Sequence, residues 1–210
     1  MSVGRLIDSN EDVAEGAVWL AARCPRMKHA LTVTGPPPLR RRPDGFAQLL
    51  SAIVSQQVSV ASAAAIWARM EAAGLDTPTA VINAGEERMR AVGLSRQKIR
   101  YACALAEADI DFEALRQQSD EDVIRTLVAV SGIGEWTAEV YAMFSLGRAD
   151  VFAPGDLALQ EAARDLYALD TRPSPKDLRL MAADWSPWRS VAARMLFAYY
   201  RCMKQREGIG

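Results

Sequence analysis

The sequence predicts an all-α protein, and three observations support this. Apolar residues recur at helical spacing along most of the 210 residues, alternating strand patterns are missing, and alanine outnumbers the β-branched residues that favour strands. A composition of 50% hydrophobic and 24% charged residues is typical of a globular chain with one core or two small lobes. We therefore expect a compact assembly of short helices.

In the first half of the chain, breaks and caps delimit the predicted helices. A helix is expected at residues 9–24, because Ser-Asn-Glu-Asp is a capping sequence and Pro25 ends the run. Consecutive prolines in residues 35–43 cannot continue a helix, so we expect an extended connector between lobes there. One amphipathic helix then begins at Phe46, and the next carries an apolar stripe of Val60, Ala64, Trp67 and Met70.

After residue 76, prolines mark two of the predicted helix starts. Thr77 and Ser174 each place a hydroxyl before a proline, which is typical of a helix start. Further helices are expected at residues 95–109, 120–130, 134–146, 157–166, 175–183 and 187–206. No fixed-period repeat is present.

The near-neutral net charge of −1 conceals an uneven distribution. Residues 88–100 contain five basic residues and no acid, and residues 185–206 contain another five without an acid. Residues 107–122 contain seven acids against one arginine. A single charged run is usually a solvated helix face, but two basic stretches together with Arg40, Arg41 and Arg42 favour a surface that faces phosphate.

Residue counts exclude several kinds of site. His29 is the single histidine, so zinc sites and most catalytic triads built on histidine are excluded. Cys24, Cys103 and Cys202 are too few and too scattered for a disulfide framework or an iron–sulfur cluster. No apolar run is long enough to span a membrane, and no signal peptide opens the chain, so we expect a cytoplasmic protein.

The most informative segment is residues 127–142, Leu-Val-Ala-Val-Ser-Gly-Ile-Gly-Glu-Trp-Thr-Ala-Glu-Val-Tyr-Ala. Glycines one residue apart allow a tight reversal with positive φ between two helices. The N–H groups that open the second helix can then face an anion such as a DNA phosphate. A plain helix–helix turn is the commoner explanation, but Ile133 between the glycines makes the segment resemble a helix–hairpin–helix DNA-binding motif.

Asp156 is the second informative residue. It follows Pro154 and Gly155 and precedes an apolar helical run, so its plain interpretation is a helix N-cap. A catalytic role is compatible with that position, because a helix N-terminus favours the ionised carboxylate.

Together these segments resemble the helix–hairpin–helix (HhH-GPD) DNA glycosylase superfamily, and within it the 3-methyladenine DNA glycosylase II (AlkA-type) branch. The resemblance covers residues 36 to 200 and rests on four ordered motifs. These are Ala-Ile-Val-Ser-Gln-Gln-Val-Ser at 52–59, Val-Ser-Gly-Ile-Gly-Glu-Trp-Thr-Ala at 130–138, Val-Phe-Ala-Pro-Gly-Asp at 151–156 and Trp-Ser-Pro-Trp-Arg-Ser at 185–190.

The resemblance implies two helical lobes with the active-site cleft between them. We expect residues 1–42 together with 161–210 to form a terminal lobe. Residues 43–160 are expected to form a central lobe that contains the helix–hairpin–helix and Asp156. The length leaves no room for the extra N-terminal α+β domain of the bacterial prototype, so the short form of the branch is expected.

The implied reaction is hydrolysis of the N-glycosidic bond of an alkylated purine, of the 3-methyladenine class, flipped out of duplex DNA in base excision repair. Asp156 corresponds to the catalytic carboxylate of the branch. Trp136 occupies the position at which bifunctional relatives carry a Schiff-base lysine, so a monofunctional enzyme that leaves an abasic site is expected.

The resemblance also assigns binding roles. An electron-deficient base is expected among aromatic faces, since stacking and cation–π attraction select it; each of these rings alone is as well or better explained as core. The candidates are Trp136, Tyr141, Trp185, Trp188 and Phe197. Gln57 falls where the branch places the residue that wedges into the gap left by the flipped base. Further DNA contacts are expected from Gly132, Gly134, Thr137, Arg96, Lys98 and Arg189.

The expected partner is double-stranded DNA with damaged bases, bound by a monomer that is associated with the bacterial nucleoid and not with a membrane. No cofactor is expected to be required. By resemblance the hairpin holds a structural Na⁺ or K⁺ through the backbone carbonyls of Val128, Val130 and Ile133. Two alternatives stay open: a non-catalytic helix–hairpin–helix module that binds DNA, and a glycosylase for deaminated or oxidised bases.

Overall fold

A computed structural model describes residues 3–206 of the protein, and helices dominate that part of the chain. The twelve α-helices found there are α1 (Asn10–Arg23), α2 (Pro25–Thr34), α3 (Phe46–Ser55), α4 (Val60–Ala72), α5 (Pro78–Ala91), α6 (Arg96–Glu107), α7 (Phe112–Gln117), α8 (Asp120–Val128), α9 (Glu135–Phe144), α10 (Leu157–Leu166), α11 (Pro175–Met181) and α12 (Arg189–Arg206). Ala182–Trp185 forms a 3₁₀ turn, and Leu6 and Arg148 form an isolated antiparallel bridge. The predicted all-α class is confirmed.

Local capping explains why the predicted helix starts agree with the structure. Ser9 and Asp12 form a capping box at α1, in which each side chain satisfies the backbone of the other residue. The hydroxyl of Thr77 accepts from the N–H of Ala80 at α5, and that of Ser174 accepts from the N–H of Asp177 at α11. Each of these hydrogen bonds joins residues three positions apart in the chain, so it can be predicted from the sequence alone.

Two helices were not predicted. Pro25 ends α1 as expected, but it also occupies the first position of α2, where its missing N–H costs nothing. Helix α7 has six residues, which is too short for an apolar period to be recognised.

The predicted apolar stripe of α4 is buried at Met70 but wrong at Val60 and Ala64. Val60 is 88% exposed and Ala64 is also exposed, whereas the buried face consists of Ala63, Ile66 and Met70. Small and apolar residues occupy nearly every position of this helix, so the period alone does not distinguish the two faces.

The chain divides into two compact units, and residues 42–141 form the first. Helix α6 packs against α3 and α5, and α3 also packs against α4. Its core includes Leu49, Leu50, Ile53, Met70 and Leu105, each at most 2% exposed.

Residues 3–41 and 142–206 form the second unit. Helix α12 packs against α1, α2 and α10. A Cβ atom on Gly16 of α1 would lie 2.7 Å from the Trp188 ring, so only glycine allows this close approach. The division differs from the predicted lobes at residues 142–160, which pack with the terminal segments; Asp156 therefore belongs to the second unit.

Not every basic residue lies on the surface. Arg194 is 1% exposed, and its guanidinium donates to the carbonyls of Leu39, Ser190 and Met143. Burial, together with the smaller effect of the nearby charges of Arg41 and Arg40, lowers the pKa of Arg194 to about 10. The expectation that residues 185–206 present a basic face to phosphate is wrong for Arg194, because its hydrogen bonds are made inside the core.

None of the helices described is both long and apolar enough to cross a membrane. Cys24, Cys103 and Cys202 are free thiols. Burial raises the pKa of the Cys103 thiol, and the charge of Glu107 raises it further, which favours the inert protonated form.

Candidate catalytic and DNA-binding sites

A loop in the second unit leads to Asp156, and its backbone carbonyls are hydrogen-bonded almost throughout. The N–H of Ser190 donates to the carbonyl of Ala149 over 2.9 Å. The hydroxyl of Ser190 lies 2.5 Å from the carbonyl oxygen of Arg148 and 2.8 Å from that of Val151. Since an irregular segment can be buried only if its polar groups are satisfied, these bonds define one path for the loop.

Asp156 ends this loop as the N-cap of α10. Its carboxylate oxygen Oδ1 accepts from the N–H of Ala158 at 2.9 Å and from that of Leu159 at 3.3 Å. The side chain is half-buried, while Gly155 and Leu157 on either side are exposed. One carboxylate oxygen is thus bound to the helix, in a position where solvent and ligands can still approach the group.

Two further polar side chains hold the loop, and the sequence pattern indicates a role for neither of them. Gln160 is 4% exposed and donates from Nε2 to the carbonyl of Pro154 over 2.7 Å. Ser190 is fully buried. Ser190 lies in a motif that indicated the family, but its partners are distant in the chain. Gln160 binds a carbonyl six residues earlier, a contact that no capping or turn rule predicts.

The hairpin in the first unit has the predicted conformation. Gly132 has a φ of +95°, and a Cβ atom there would lie 2.4 Å from the Tyr101 ring. The N–H of Ile133 donates to the carbonyl of Val130, and the Ile133 side chain is 4% exposed. The turn therefore has no room for a side chain at Gly132, and the buried Ile133 side chain anchors it, as the sequence predicts.

Helix α9 begins directly after the hairpin. Gly134 is exposed, and its carbonyl accepts from the N–H of Ala138, so it stands at the N-cap of α9. A glycine supplies no side chain to cap a helix, which leaves the N-terminal N–H groups to backbone, water or a ligand. The Thr137 side chain is 7% exposed; a phosphate contact from this residue would come from its backbone N–H.

The turn between α3 and α4 contains the predicted wedge. Gln57 has a φ of +56°, which is uncommon for a residue with a side chain, and it is exposed. Its neighbour Gln56 donates from Nε2 to the carbonyl of Gly132 over 2.9 Å. This bond ties the turn to the hairpin, so both surfaces are held in one arrangement.

A groove of about 430 Å³ lies beside this turn. It is lined by Gln56, Gln57, Val58, Ile66, Gly93, Ser95, Gln97, Lys98 and Tyr101. Six of these nine residues have polar side chains, and Lys98 is the charged one among them.

The three predicted basic contacts occupy different environments. Arg96 is 74% exposed and lies 3.4 Å from Glu86. Lys98 donates from Nζ to the carbonyl of Val54 over 2.6 Å, and burial lowers its pKa. Arg189 binds the carboxylate of Asp150 at 3.3 Å and the carbonyl of Ala182. Only Arg96 of these three presents most of its side chain to solvent.

The predicted base-pocket aromatics also separate by exposure. Trp136 is 46% exposed, which is unusual for so large an apolar ring. Tyr141 is 4% exposed, and its hydroxyl accepts from the N–H of Gly45. Burial raises the pKa of Tyr141 to about 12, which is the effect expected of a phenol in the core.

In the second unit, Trp185 and Trp188 are each 2% exposed. The Trp185 ring packs edge-on against Phe152 at 5.3 Å, and the Arg5 guanidinium lies 4.4 Å from the centre of the Trp188 ring. Phe197 is half-buried beside Phe144. Trp136 and Phe197 thus keep part of their rings exposed, whereas Trp185 and Trp188 are surrounded by protein.

Within the residues described, no group of three or more histidine, cysteine, aspartate or glutamate side chains could hold a metal ion. The predicted cation ligands are backbone carbonyls. Val128 is the last residue of α8, so its carbonyl has no partner within the helix.

Comparison with known proteins places these features in a family. Residues 50–187 match the model of the HhH-GPD superfamily base excision DNA repair proteins. The chain belongs to this superfamily. The predicted family resemblance is thereby confirmed.

Several relatives of this HhH-GPD protein are named DNA-3-methyladenine glycosylases. It is 32% identical over 161 residues to DNA-3-methyladenine glycosylase 1 of Schizosaccharomyces pombe, covering 72% of this chain and 71% of the relative. It is 29% identical over 163 residues to DNA-3-methyladenine glycosylase 2 of Escherichia coli, covering 71% of this chain and 55% of that relative. A putative DNA-3-methyladenine glycosylase of Bacillus subtilis is 29% identical over 124 residues, and this match spans 57% of this chain and 43% of the relative.

Solved structures agree with the HhH-GPD fold. A DNA-3-methyladenine glycosidase from Bacillus halodurans superposes with a TM-score of 0.80 at 32% identity, over 97% of this chain and 94% of the other. The Schizosaccharomyces pombe 3-methyladenine DNA glycosylase in complex with abasic DNA superposes with a TM-score of 0.75 at 30% identity, over 87% of this chain and 95% of the other.

Proposed function

We propose that the protein is a monofunctional DNA glycosylase that releases alkylated purines of the 3-methyladenine class from duplex DNA. Membership of a base excision repair family and relatives named DNA-3-methyladenine glycosylases support the reaction class. The observation that carries the proposal for this chain is Asp156. Its carboxylate ends a largely buried loop, most of whose carbonyls are hydrogen-bonded, while staying partly open to ligands.

Asp156 supplies the charge that the reaction requires. As the glycosidic bond breaks, positive charge develops on the deoxyribose, and a fixed carboxylate stabilises it. The same group can orient or deprotonate the attacking water. An alkylated purine is already cationic and therefore a good leaving group, so a dedicated general acid is not needed.

Trp136 supports a purely hydrolytic reaction. An indole ring cannot form an imine, so the covalent route to strand cleavage lacks its nucleophile at this position. The ring is 46% exposed beside the hairpin and can stack on a base or on deoxyribose. The product is then an intact strand with an abasic site.

DNA binding in this proposal relies on main-chain groups and on exposed side chains of the first unit. The N–H groups at the start of α9 receive a phosphate oxygen, which positions DNA without reading its sequence. The exposed Gln57 side chain enters the space left by the flipped base. We infer a monomer acting in the cytoplasm on nucleoid DNA.

The hairpin also fits a monovalent cation. The carbonyl of Val128 ends α8 without a helical partner, and that of Val130 keeps a second lone pair beside its bond to Ile133. Oxygen ligands of this kind suit Na⁺ or K⁺. Together with the carbonyl of Ile133 they would hold the ion. Its positive charge would then lie between the hairpin carbonyls and the DNA phosphate.

A panel of duplexes with one lesion each tests the proposed function. The purified protein is incubated with duplexes that contain 3-methyladenine, 7-methylguanine, ethenoadenine or hypoxanthine, and abasic sites are revealed by alkaline cleavage. We expect release of at least one alkylated purine. Release of hypoxanthine alone would favour the deaminated-base alternative, and binding without any release would favour a non-catalytic module.

Reduction with borohydride tests the monofunctional assignment. An imine between enzyme and DNA would be trapped as a covalent complex. We expect no trapped complex and no strand cleavage before alkali is added. A trapped complex would show that a lysine elsewhere in the chain acts as nucleophile.

A further inference from the structure

Gln160 and Ser190 are polar residues in a region that is otherwise core. They are 4% and 0% exposed, respectively. Neighbouring residues at similar depth, such as Leu159, Ala163 and Val191, are apolar. A buried polar side chain is costly unless its hydrogen bonds are made, and an apolar residue of equal volume would fill the same space without that requirement.

Both side chains bind carbonyls of the loop that ends at Asp156. Gln160 donates to Pro154, two residues before Asp156, over 2.7 Å. Its own N–H donates to the carbonyl of Asp156 over 3.0 Å. Gln160 therefore encloses Gly155 and Asp156 between two bonds, at a point where a glycine would otherwise allow the backbone to pivot.

Ser190 holds the beginning of the same loop. Its hydroxyl reaches the carbonyls of Arg148 and Val151, and its N–H reaches that of Ala149. The carbonyl of Ser190 accepts in turn from the buried Arg194 guanidinium over 2.9 Å. The loop is thus attached to α12 at its start and to α10 at its end.

We propose that Gln160 and Ser190 are positioning residues for the Asp156 carboxylate. This inference rests on the proposed function, since it presumes that Asp156 acts on bound DNA. Neither residue touches the reacting atoms. They restrict where the carboxylate lies relative to the helix α10 N-terminus, and an error of about 1 Å in a reacting group can lower a rate by roughly 100-fold.

The first experiment compares Gln160→Met with a matched control, Tyr199→Phe. Methionine has nearly the same shape but cannot donate to Pro154. Tyr199 of α12 is 5% exposed, and its hydroxyl donates to Asp165 at the C-terminal end of α10. Removing this hydroxyl deletes one hydrogen bond at the opposite end of α10 from Asp156. Single-turnover base release is measured with enzyme in excess over a duplex carrying the lesion that wild type releases best.

For Gln160→Met we expect the rate constant of release to fall by about 10- to 100-fold. The Kd for a duplex with a tetrahydrofuran abasic-site analogue should change by less than about twofold, since binding does not depend on the carboxylate position. Tyr199→Phe should lower the melting temperature similarly and keep the wild-type rate.

The variant Gln160→Glu supplies a readout that packing alone would not produce. A buried carboxyl has a raised pKa and can donate to Pro154 only when it is protonated. Its rate relative to wild type should therefore rise at least about fivefold between pH 8 and pH 5.5, whereas the ratio for Gln160→Met should stay flat.

Ser190→Ala serves as the second variant if Gln160→Met does not fold, and a rate loss of similar size is expected. A wild-type release rate in a folded Gln160→Met or Ser190→Ala variant would overturn the positioning role, as would a rate loss of equal size in Tyr199→Phe. Failure of the wild-type enzyme to release any base would instead contradict the proposed function, so the two outcomes are separable.

Discussion

Helices α9 and α10 both begin just after a glycine-containing turn, yet their first residues differ. The N-cap of α9 is Gly134, which has no side chain, and the N-cap of α10 is Asp156, whose carboxylate accepts from two N–H groups of its own helix. The N-terminus of a helix carries partial positive charge in either case. The proposed function assigns that charge to an external anion at α9, whereas at α10 it holds an anion of the protein.

Under the proposed function, one electrostatic element serves phosphate binding at α9 and catalysis at α10. A phosphate must come and go, so α9 offers backbone groups that require no side chain to move. A catalytic carboxylate must stay in place, so α10 and the loop before it are held by Gln160 and Ser190. The supporting structure differs accordingly: a positive φ at Gly132 for one, and buried hydrogen bonds for the other.

The largest expected effect comes from removing the negative charge of Asp156 at the start of α10. In Asp156→Asn the amide oxygen can still cap α10, so the fold should persist, while the missing charge should slow base release by at least about 1000-fold. Affinity for damaged duplex should be retained. Single-turnover kinetics and gel-shift titration measure the two quantities.

Asp111→Asn is the matched control for that change. Asp111 caps α7 by accepting from the N–H of Ala114 over 3.0 Å, so the same chemical substitution is made at another helix start. Its release rate should equal that of wild type. Release by Asp156→Asn within tenfold of wild type would end the catalytic assignment.

The second prediction compares the two glycines of the hairpin. Gly132→Ala requires a side chain at a φ of +95° and a Cβ atom 2.4 Å from Tyr101, so unfolding should become easier by about 2–4 kcal/mol and duplex affinity should fall. A Cβ on Gly134 meets nothing within 4 Å, so Gly134→Ala should keep its stability within about 1 kcal/mol. Thermal unfolding and fluorescence anisotropy provide the measurements, and equal stability of both variants would contradict the described turn.

The third prediction concerns Tyr141, further along α9. Its pKa is about 12 in the folded state because the ring is buried, against about 10 in the unfolded chain. Between these values the unfolded state loses the proton first, so stability should fall by about 1–3 kcal/mol as the pH rises from 10 to 12. Denaturant titrations of Tyr141→Phe, which has no such proton, should show a shallower decline; identical slopes would contradict the burial of the hydroxyl.

The smallest expected effect distinguishes the arginines. Arg96→Gln should weaken binding to undamaged duplex by roughly three- to tenfold and reduce the slope of log K against log salt by about one, as one lost phosphate contact requires. Arg189→Gln should leave the slope unchanged and lower stability instead, since this side chain binds Asp150 and Ala182. A flat salt response of the wild type would remove Arg96 from the DNA interface.

Much of the fold was predictable because its signals are local. Ser9, Thr77 and Ser174 mark helix starts through contacts with residues three positions away. The Gly-Ile-Gly hairpin was predictable for the same reason, since the reversal requires glycine at a positive φ. The short α7 was not predicted, because a six-residue helix shows no period. The buried face of α4 was predicted only at Met70, because an alanine-rich helix shows an ambiguous period.

The helical class, the hairpin and the position of Asp156 at the start of a helix follow from the order of residues alone. Which of the aromatic and basic residues reach the surface depends on how the helices pack. This packing buries Trp185, Trp188 and Arg194, leaves Trp136 and Arg96 exposed, and directs Gln160 and Ser190 to loop carbonyls. The reason is that caps and turns are set by neighbours in the chain, whereas exposure and long-range hydrogen bonds depend on which helices pack together.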